Sequence, residues 1–290
     1  DNTGDEARRT YNLNIANWIP DLFMERVKSD GVWSLFDSKT CGHLTDLFGE
    51  QFKDAYLALE ADSRFVRQVK ARDLYARMMK SLAETGNGLM TFKDACNTKS
   101  NQTLLPGRVA HSSNLCTEIV EISSEEETAV CNLGSIHLGR HVRDGAFDFD
   151  KLRATVHTAV RFLDRVIDIN FYPTPQAAAS NRRWRPIGLG LMGLQDVFFE
   201  LELPFDCEEA AALSLRIQEE IYFQALDESC DLARRHGKHP NFEETRASQG
   251  LLQFDLWDVQ PTDTNRWSRL KERIREHGLR NSLLLASAPT

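Results

Sequence analysis

Residues 113–119 read SNLCTEI and residues 129–138 read AVCNLGSIHL. In an extended segment, side chains two positions apart share a face, so Asn114, Cys116 and Glu118 would point the same way. A helix would separate them, because residues two apart diverge on its surface. The spacing therefore predicts a strand-like segment that gathers an amide, a thiol and a carboxylate around one small volume.

These three groups are the parts of a possible active site: an amide that orients a ligand through hydrogen bonds, a reactive sulfur and a general base. By spacing alone, the simpler interpretation is a half-buried strand in which Cys116 is a small apolar residue. The acidic stretch SSEEET at residues 123–128 predicts a solvated hairpin turn that would return Cys131 toward Cys116. Two thiols near one pocket suit redox chemistry, and two unrelated buried cysteines fit the pattern equally well.

Outward from these stretches, apolar side chains recur at helical spacing. After a short helix that begins at Pro20 and Asp21, the predicted long helices cover residues 67–85, 152–167, 207–236 and 265–277. Asp206 is predicted to cap the third of these, with Glu209 completing a capping box. Short apolar runs at residues 89–94 and 281–290 predict strands. Helices thus alternate with strands, which indicates one continuous α/β domain with mostly parallel pairing.

The composition is that of an ordinary globular protein. The 290 residues are 41% hydrophobic and 27% charged, and no apolar run approaches the roughly 20 residues that a membrane-spanning helix needs. A net charge of −8 argues against a broad nucleic-acid-binding surface. The sequence does not begin with the basic segment and apolar segment of a secretory signal peptide. A start at Asp1 without Met is compatible with further residues upstream.

Six cysteines are scattered without a CxxC motif, which predicts reduced cytosolic thiols rather than a disulfide scaffold or a zinc ribbon. His111, His137 and His141 lie near Cys116 and Cys131 in sequence. No standard spacing of metal ligands appears among them, so we expect the chain to bind no metal.

Two further motifs invite a functional interpretation. Residues 182–185, RRWR, would suit a phosphate or nucleic acid, but an exposed or ion-paired turn is the simpler explanation. Residues 188–193, GLGLMG, fit the dinucleotide-binding pattern GxGxxG, yet Pro186 stands just ahead and the βαβ context is missing. We interpret these glycines as a device for tight backbone packing in a strand.

Several stretches together resemble one known family. SNLCTEI followed by AVCNLGSIHL is similar to the active-site loop and following strand of the ribonucleotide reductase large subunit. In the same order, NIANWIPDLFMERV resembles the stretch before that loop, RRWRPIGLGLMGLQD a later barrel segment, and HGLRNSLLLASAPT the lead into the substrate-phosphate loop. The resemblance extends over essentially all of the chain.

The resemblance implies part of a ten-stranded α/β barrel, with the active-site cysteine on a central finger loop. Residues 1–290 would form a single partial catalytic barrel domain, with further strands upstream and the rest of the phosphate loop and the C-terminus downstream. In family terms Cys116 carries the thiyl radical, Glu118 is the general base, and Asn114 orients the substrate. Cys131 is one half of a redox-active disulfide whose partner lies upstream. The implied substrate-binding residues are Ser113, Pro289 and Thr290.

The implied activity is reduction of ribonucleoside diphosphates to 2′-deoxyribonucleoside diphosphates for DNA precursor synthesis in the cytoplasm. The implied partners are a radical-generating, metal-containing small subunit and a thioredoxin or glutaredoxin reductant, with a homodimer of the full-length large subunit and allosteric nucleotides bound there. No membrane or nucleic acid is expected as a partner.

Three alternatives remain open. One is an adenosylcobalamin-dependent (class II) reductase, although such enzymes more often resemble NPCGE where this chain reads NLCTE. Another is a catalytically silent fragment of the same fold. The third is a hydrolase with a cysteine nucleophile, which would need a paired histidine such as His111.

Overall fold

The computed structural model of the chain describes residues 13–288. Contacts divide the chain into two compact units, residues 1–121 and residues 122–290. Each unit has a buried apolar core of its own. That residues 1–290 form a single barrel domain therefore remains a prediction.

The first unit combines short strands with helices. Its strands are β1 (Ala16–Ile19), β2 (Val32–Leu35), β3 (Arg67–Lys70) and β4 (Leu89–Phe92). Its helices are α1 (Asp21–Lys28), α2 (Ser38–Cys41), α3 (Gly49–Ala61), α4 (Ala71–Thr85) and α5 (Lys93–Lys99). β1 pairs in parallel with β4, whereas β2 and β3 are antiparallel. The predicted strand at residues 89–94 is therefore confirmed over its first four residues, and its last two begin α5.

Helix α4 begins later than its apolar periodicity predicts. Residues 67–70 form β3 instead, with Lys70 opposite Val32 of β2. Pairing with a distant strand overrides the local helical preference of these residues. The end of the helix is as predicted, because Gly86 adopts the left-handed conformation at φ +67° and its N–H donates to the carbonyl of Leu82.

A buried carboxylate joins the starts of two helices in the first unit. Oδ2 of Asp94 accepts a hydrogen bond from the N–H of Asp21 at 2.7 Å, and Oδ1 accepts one from the N–H of Gly49 at 2.7 Å. Helix N-termini carry unsatisfied N–H groups and a positive dipole end, so one carboxylate stabilises both α1 and α3. The proximity of Asp94 also contributes to the raised pKa of Asp21, whose main cause is burial.

The second unit is built on a parallel strand pair. Its strands are β5 (Asn132–His137), β6 (Val142–Arg143), β7 (Ala146–Phe147) and β8 (Ile187–Met192). Its helices are α6 (Phe149–Ile169), α7 (Pro175–Trp184), α8 (Leu194–Glu200), α9 (Glu208–His236), α10 (Gln253–Leu256) and α11 (Thr264–His277). β5 and β8 pair in parallel, with Asn132 opposite Ile187, whereas β6 and β7 are antiparallel.

The predicted apolar stripe of α6 lies in the core of this unit. Leu152, Val156 and Val160 are fully buried and pack in one cluster with residues of β5, β8, α9 and α11. An apolar stripe at helical spacing buries one face of a helix against a sheet. The long helices predicted at residues 152–167, 207–236 and 265–277 are thus confirmed.

Three local expectations in the second unit need correction. The cap of α9 is Cys207, whose Sγ accepts from the N–H of Ala210 at 3.3 Å, and not Asp206. The acidic turn at residues 123–128 is not fully solvated, because Glu127 is buried. Residues 281–288 form no regular strand and make a single parallel bridge, between Leu285 and Leu189 of β8.

Candidate active site

Residues 113–119 contain a turn rather than the extended segment that the alternation predicted. The N–H of Thr117 donates to the carbonyl of Asn114 at 3.1 Å, and Leu115 and Cys116 occupy the corner. Thr117 has φ +67°, a left-handed conformation that is unfavourable for a β-branched residue. Because the chain reverses here, the prediction that Asn114, Cys116 and Glu118 share one strand face is wrong.

The loop is braced by its own side chains. Oδ1 of Asn114 accepts from the N–H of Ile119 at 3.1 Å, which closes the loop across the turn. The hydroxyl of Ser113 donates to the carbonyl of Asn114 at 2.8 Å. Such short-range bonds between side chain and backbone are typical of Asn and Ser in turns. In this structure, Asn114 and Ser113 therefore shape the loop that carries Cys116.

Cys116 and Glu118 have contrasting surroundings. Cys116 is exposed at the corner of the turn and forms no disulfide within residues 13–288. Glu118 is half-buried, and its Oε2 is buried without a hydrogen-bond partner among residues 13–288. A buried carboxylate oxygen without a partner costs free energy, and in a native protein such a group calls for an explanation. An accessible thiol thus lies two residues from a carboxylate with unused capacity to accept a hydrogen bond.

The segment that leads into the loop is clamped by Asn97 of α5. Oδ1 of Asn97 accepts from the N–H of Ala110 at 2.8 Å, and its Nδ2 donates to the carbonyl of Ala110 at 3.0 Å. Both residues are fully buried. One side chain thus satisfies both polar groups of a backbone residue, as a neighbouring strand would. The sequence analysis missed this clamp, since nothing local in α5 shows which distant backbone Asn97 will meet.

The next residue along, His111, is also held from a distance. Its Nε2 lies 2.9 Å from Oδ1 of Asp46. Together with the clamp on Ala110, this contact secures the chain before the loop begins.

Cys131 immediately precedes β5 in the second unit, and it also forms no disulfide with a described cysteine. A Cβ placed on Gly188 of β8 would lie 3.0 Å from the sulfur of Cys131, 2.9 Å from Cβ of Ala286 and 2.6 Å from a methyl of Leu133. No side chain fits there without displacing these groups. Gly188 therefore allows Cys131 to pack directly against the backbone of β8.

Gly190 has the same role one pair of residues further along β8. A Cβ at this position would lie 2.5 Å from the carbonyl oxygen of Ala286 and 3.3 Å from Oγ of Ser135. Gly188 and Gly190 thus permit close approach of backbone and side chains to a strand, as expected from the sequence. Gly193 follows the strand and precedes α8 with φ +73°.

The predicted site residues fall in three places. Ser113, Asn114, Cys116 and Glu118 lie together in one loop of the first unit, and Cys131 lies in the second unit. Pro289 and Thr290 lie outside the described residues. The catalytic and substrate-binding roles of these residues stay predictions.

The basic run at residues 182–185 is ion-paired, in agreement with the simpler of its two interpretations. Arg183 contacts Glu127 at 3.0 Å, and Arg185 contacts Asp164 at 2.9 Å and Asp168 at 2.7 Å. These arginines are therefore engaged with carboxylates of the protein itself.

Residues 13–288 contain neither a cluster of metal ligands nor a helix able to cross a bilayer. Over residues 13–288, no cluster of three or more His, Cys, Asp or Glu side chains is arranged to hold a metal ion. His141 lies 3.0 Å from the hydroxyl of Thr155, and burial lowers its pKa. Within the same range, no helix combines the length and apolarity that a bilayer crossing demands.

Comparison with known proteins gives a consistent result. A family model described as ribonucleotide reductase, barrel domain, matches residues 1–290. The chain is 49% identical over 289 residues to the ribonucleoside-diphosphate reductase large subunit of Variola virus, covering 100% of this chain and 37% of that protein. The Vaccinia virus (strain Copenhagen) large subunit is 48% identical over 289 residues, with the same coverage of both chains.

A cellular relative agrees with the viral ones. The ribonucleoside-diphosphate reductase large chain of Schizosaccharomyces pombe is 45% identical over 287 residues, which cover 99% of this chain and 35% of that protein. The chain thus spans about a third of the length of the curated relatives that it matches. The α/β architecture with parallel strand pairs agrees with a barrel domain, and the match extends from the first residue to the last. The chain belongs to the ribonucleotide reductase barrel-domain family.

Proposed function

We propose that the chain is the barrel portion of a class I ribonucleotide reductase large subunit and that it reduces ribonucleoside diphosphates to their 2′-deoxy forms. The observation that carries the proposal is the loop at residues 113–119. In it, an exposed thiol at Cys116 stands two residues from Glu118, whose buried Oε2 has no hydrogen-bond partner within the described chain. Relatives that match the entire chain carry the name of this enzyme.

In the proposed reaction, Cys116 acts as a thiyl radical and takes the hydrogen atom from C3′ of the ribose. An S–H bond forms as a C–H bond of comparable strength breaks, so the transfer is reversible. Glu118 accepts the proton of the 3′-hydroxyl, and the 2′-hydroxyl leaves as water after it takes a proton from Cys131 or its partner thiol. The two thiols supply two electrons in all and become a disulfide, and their second proton is transferred to C2′. The hydrogen atom then returns from Cys116 to C3′, and Glu118 returns its proton to the 3′-oxygen.

The loop geometry supports these roles. A base must lie within hydrogen-bond reach of its proton, and a carboxylate oxygen without a partner among the described residues has capacity to accept a hydrogen bond from a substrate hydroxyl. The exposure of Cys116 leaves its sulfur accessible to a ribose. Asn114 braces the backbone through Oδ1, which leaves its amide N–H groups to orient a substrate. Ser113, Pro289 and Thr290 are proposed to bind the substrate as well.

The proposed partners follow from the same assignment. A metal-containing small subunit supplies the radical, and a thioredoxin or glutaredoxin re-reduces the disulfide. The complete large subunit forms a homodimer and binds allosteric nucleotides, and the enzyme works in the cytoplasm.

The test is Cys116→Ser in the complete large subunit, assayed with the small subunit and a dithiol reductant. Because the O–H bond of serine is stronger than S–H, we expect deoxyribonucleotide formation to fall to background while the ribonucleoside diphosphate still binds. Cys207→Ser is the matched control, since a hydroxyl caps a helix at least as well as a thiol, and it should retain turnover. Undiminished turnover in Cys116→Ser would falsify the radical assignment.

The same assay separates the alternatives. Wild-type turnover that requires added adenosylcobalamin and no small subunit would assign the chain to the cobalamin-dependent enzymes. A wild-type protein that produces no deoxyribonucleotide under either condition would indicate a catalytically silent member of the fold.

A further inference from the structure

Two buried side chains of α5 hold distant parts of the first unit that border the loop at residues 113–119. Lys93 and Asn97 are four residues apart, so they project from the same face of the helix. Their exposed fractions are 5% and 0%. Each side chain ends on backbone atoms of another segment. One of these segments is residues 110–112, which we call the lead segment because it runs directly into the loop.

The helix that carries these side chains is itself well anchored. α5 follows directly on β4, which pairs in parallel with β1. Its buried Asp94 accepts hydrogen bonds from the N–H groups at the starts of α1 and α3. A group held by α5 is therefore fixed relative to a strand pair and two further helices.

Asn97 uses its whole side-chain amide. Its Oδ1 accepts from the N–H of Ala110 at 2.8 Å, and its Nδ2 donates to the carbonyl of Ala110 at 3.0 Å. The same Nδ2 donates to the carbonyl of Lys93, one helical turn earlier, at 3.0 Å. Ala110 is fully buried, so loss of these bonds would leave both of its polar backbone groups unpaired or force the segment to move.

Lys93 holds the segment that contacts the next residue of the lead segment. Its Nζ donates to the carbonyls of Leu44 at 3.0 Å and Thr45 at 3.4 Å. Asp46 follows, and its Oδ1 lies 2.9 Å from Nε2 of His111. α5 thus reaches two consecutive residues of the lead segment, one directly and one through Asp46.

Short-range bonds continue from the lead segment to the turn. The hydroxyl of Ser112 donates to the carbonyl of Ser113 at 3.0 Å, and that of Ser113 donates to the carbonyl of Asn114 at 2.8 Å. The carbonyl of Asn114 also accepts from the N–H of Thr117, which closes the turn at Cys116. Because hydrogen bonds follow one another along the backbone, a shift of the lead segment would be passed on to the turn.

The position of Cys116 matters because hydrogen-atom transfer requires close contact. In the proposed reaction the sulfur approaches C3′ of the ribose, and reacting atoms must come within about 3–3.5 Å. A displacement of about 1 Å can lower the rate on the order of 10²-fold. Cys116 is exposed, so its position depends on the backbone that carries it more than on packing around the side chain.

We infer that Asn97 and Asp46 are positioning residues: by holding Ala110 and His111, they fix the lead segment and thereby the place at which Cys116 meets the ribose. The inference rests on the proposed function. Neither side chain takes part in the reaction, and both act through the backbone of the lead segment.

The first test compares Asn97→Ala with wild type in the complete large subunit, with small subunit and reductant present. Because the lead segment loses its bonds to α5, we expect kcat to fall about 10- to 100-fold. KM for a ribonucleoside diphosphate should stay within about twofold of wild type, the pattern of a change that affects the reaction step and not substrate binding. A rise in KM at unchanged kcat would contradict the inference.

Tyr56→Phe is the matched control. The buried hydroxyl of Tyr56 accepts from the N–H of Ser34 at 2.7 Å and donates to the carbonyl of Ser34 at 3.0 Å, so it too holds both polar groups of one residue. Ser34 lies in β2, outside the lead segment. The variant should lower the melting temperature and leave kcat unchanged. If Asn97→Ala gives this same result, the role of Asn97 is structural and the inference is overturned.

Asp46 provides a second test that applies even where Asn97→Ala does not fold. The side chains of Asp46 and His111 are 66% and 30% exposed, so loss of their contact should change the melting temperature little. We expect Asp46→Ala to lower kcat about threefold, since an exposed contact restrains its partner weakly. Asp46→Asn, which can still hydrogen-bond to the imidazole, should restore most of the turnover. Equal kcat in Asp46→Ala and wild type would overturn the inference for this residue and, where Asn97→Ala does not fold, altogether.

The wild-type assay separates these outcomes from a failure of the proposed function. A wild type that makes no deoxyribonucleotide, or a Cys116→Ser variant that retains turnover, overturns the proposed function and the inference with it. An active wild type whose Asn97 and Asp46 variants have unchanged kcat overturns the inference alone.

Discussion

The loop at residues 113–119 and the strand pair β5–β8 are organised in opposite ways. The loop is held by bonds among its own residues and leaves Cys116 exposed. In the strand pair, residues 187–190 of β8 are buried, and at Gly188 and Gly190 there is no room for a single additional carbon atom. The candidate thiol thus lies on a braced but accessible turn, whereas the strands are closely packed at these two glycines. Substitutions in the loop should therefore change chemistry, and substitutions in the strands should change stability.

Glu118→Gln tests the loop side of this comparison and has the largest expected effect. A glutamine keeps the size of the side chain but does not accept the proton, so we expect kcat to fall by about 10² to 10⁴, the usual contribution of a general base. The melting temperature should barely change, because Oε2 has no hydrogen-bond partner among residues 13–288. Steady-state turnover of the complete enzyme and a thermal melt provide the two measurements.

The matched control is Glu125→Gln, in the exposed part of the acidic turn. It should leave both quantities unchanged. If Glu118→Gln lowers the melting temperature strongly and turnover only slightly, the carboxylate is structural and the comparison fails.

Gly190→Ala tests the strand side. The new Cβ would lie 2.5 Å from a backbone oxygen, which has little freedom to move, so we expect a loss of about 1–3 kcal/mol in the free energy of unfolding. Gly134→Ala in β5 is the control, because its Cβ would meet methyl groups of Leu163 at an ordinary 3.6 Å. Denaturant unfolding of the two variants should differ clearly. Equal free energies of unfolding would show that the backbone around Gly190 can move enough to accommodate a methyl group.

Thr117→Gly tests the backbone conformation of the loop. Thr117 has φ +67°, which costs an L-residue roughly 1–2 kcal/mol and glycine almost nothing. The larger entropy of glycine in the unfolded chain offsets part of this gain. We expect the free energy of unfolding to rise by less than about 1 kcal/mol, measured by denaturant titration. A clear loss of stability would mean that the threonine side chain holds the turn.

The smallest expected effect concerns pH and the helices that cover the strand pair. His157 of α6 lies 3.1 Å from Glu228 of α9, and hydrogen bonding to Glu228 raises the pKa of the histidine. A raised pKa contributes stability that is complete below the unfolded pKa of about 6.5 and is lost as pH rises through the folded pKa. The partly exposed pair should contribute less than about 1 kcal/mol.

Stability measured at pH 6 should therefore exceed that at pH 8 by this small amount. His157→Gln should remove the difference, whereas His43→Gln, at an exposed position, should leave it in place. A difference that survives in His157→Gln would have another origin.

The sequence predicted features that depend on residues close together in the chain, and it did not predict features that depend on distant residues. The long helices α6, α9 and α11 were predictable, because their apolar residues recur every three or four positions. The start of α4 was not, since Arg67–Lys70 pair with a strand more than thirty residues earlier. The cap of α9 was missed by one residue, because Asp206 and Cys207 both can cap a helix and only the path of the chain selects between them.

The candidate site likewise has features that nearby residues predict and features that depend on distant residues. The order of the motifs was sufficient to single out Cys116, Glu118 and Cys131 and to indicate the family. The alternation rule failed for the loop, because it assumes an extended backbone and Thr117 adopts a left-handed one. The clamp by Asn97 was not predictable, since its partner Ala110 is thirteen residues away and the contact depends on how the segment between them folds.

By itself, the sequence determined the long helices of the second unit and the family and singled out Cys116 as the candidate thiol, because these depend on periodicity and on side-chain chemistry within short stretches. Only the tertiary structure decided how the loop turns, why Gly188 and Gly190 must be glycines, and how Asn97 holds Ala110. Those features arise where segments distant in sequence come within van der Waals or hydrogen-bond distance, and local sequence patterns do not predict such contacts.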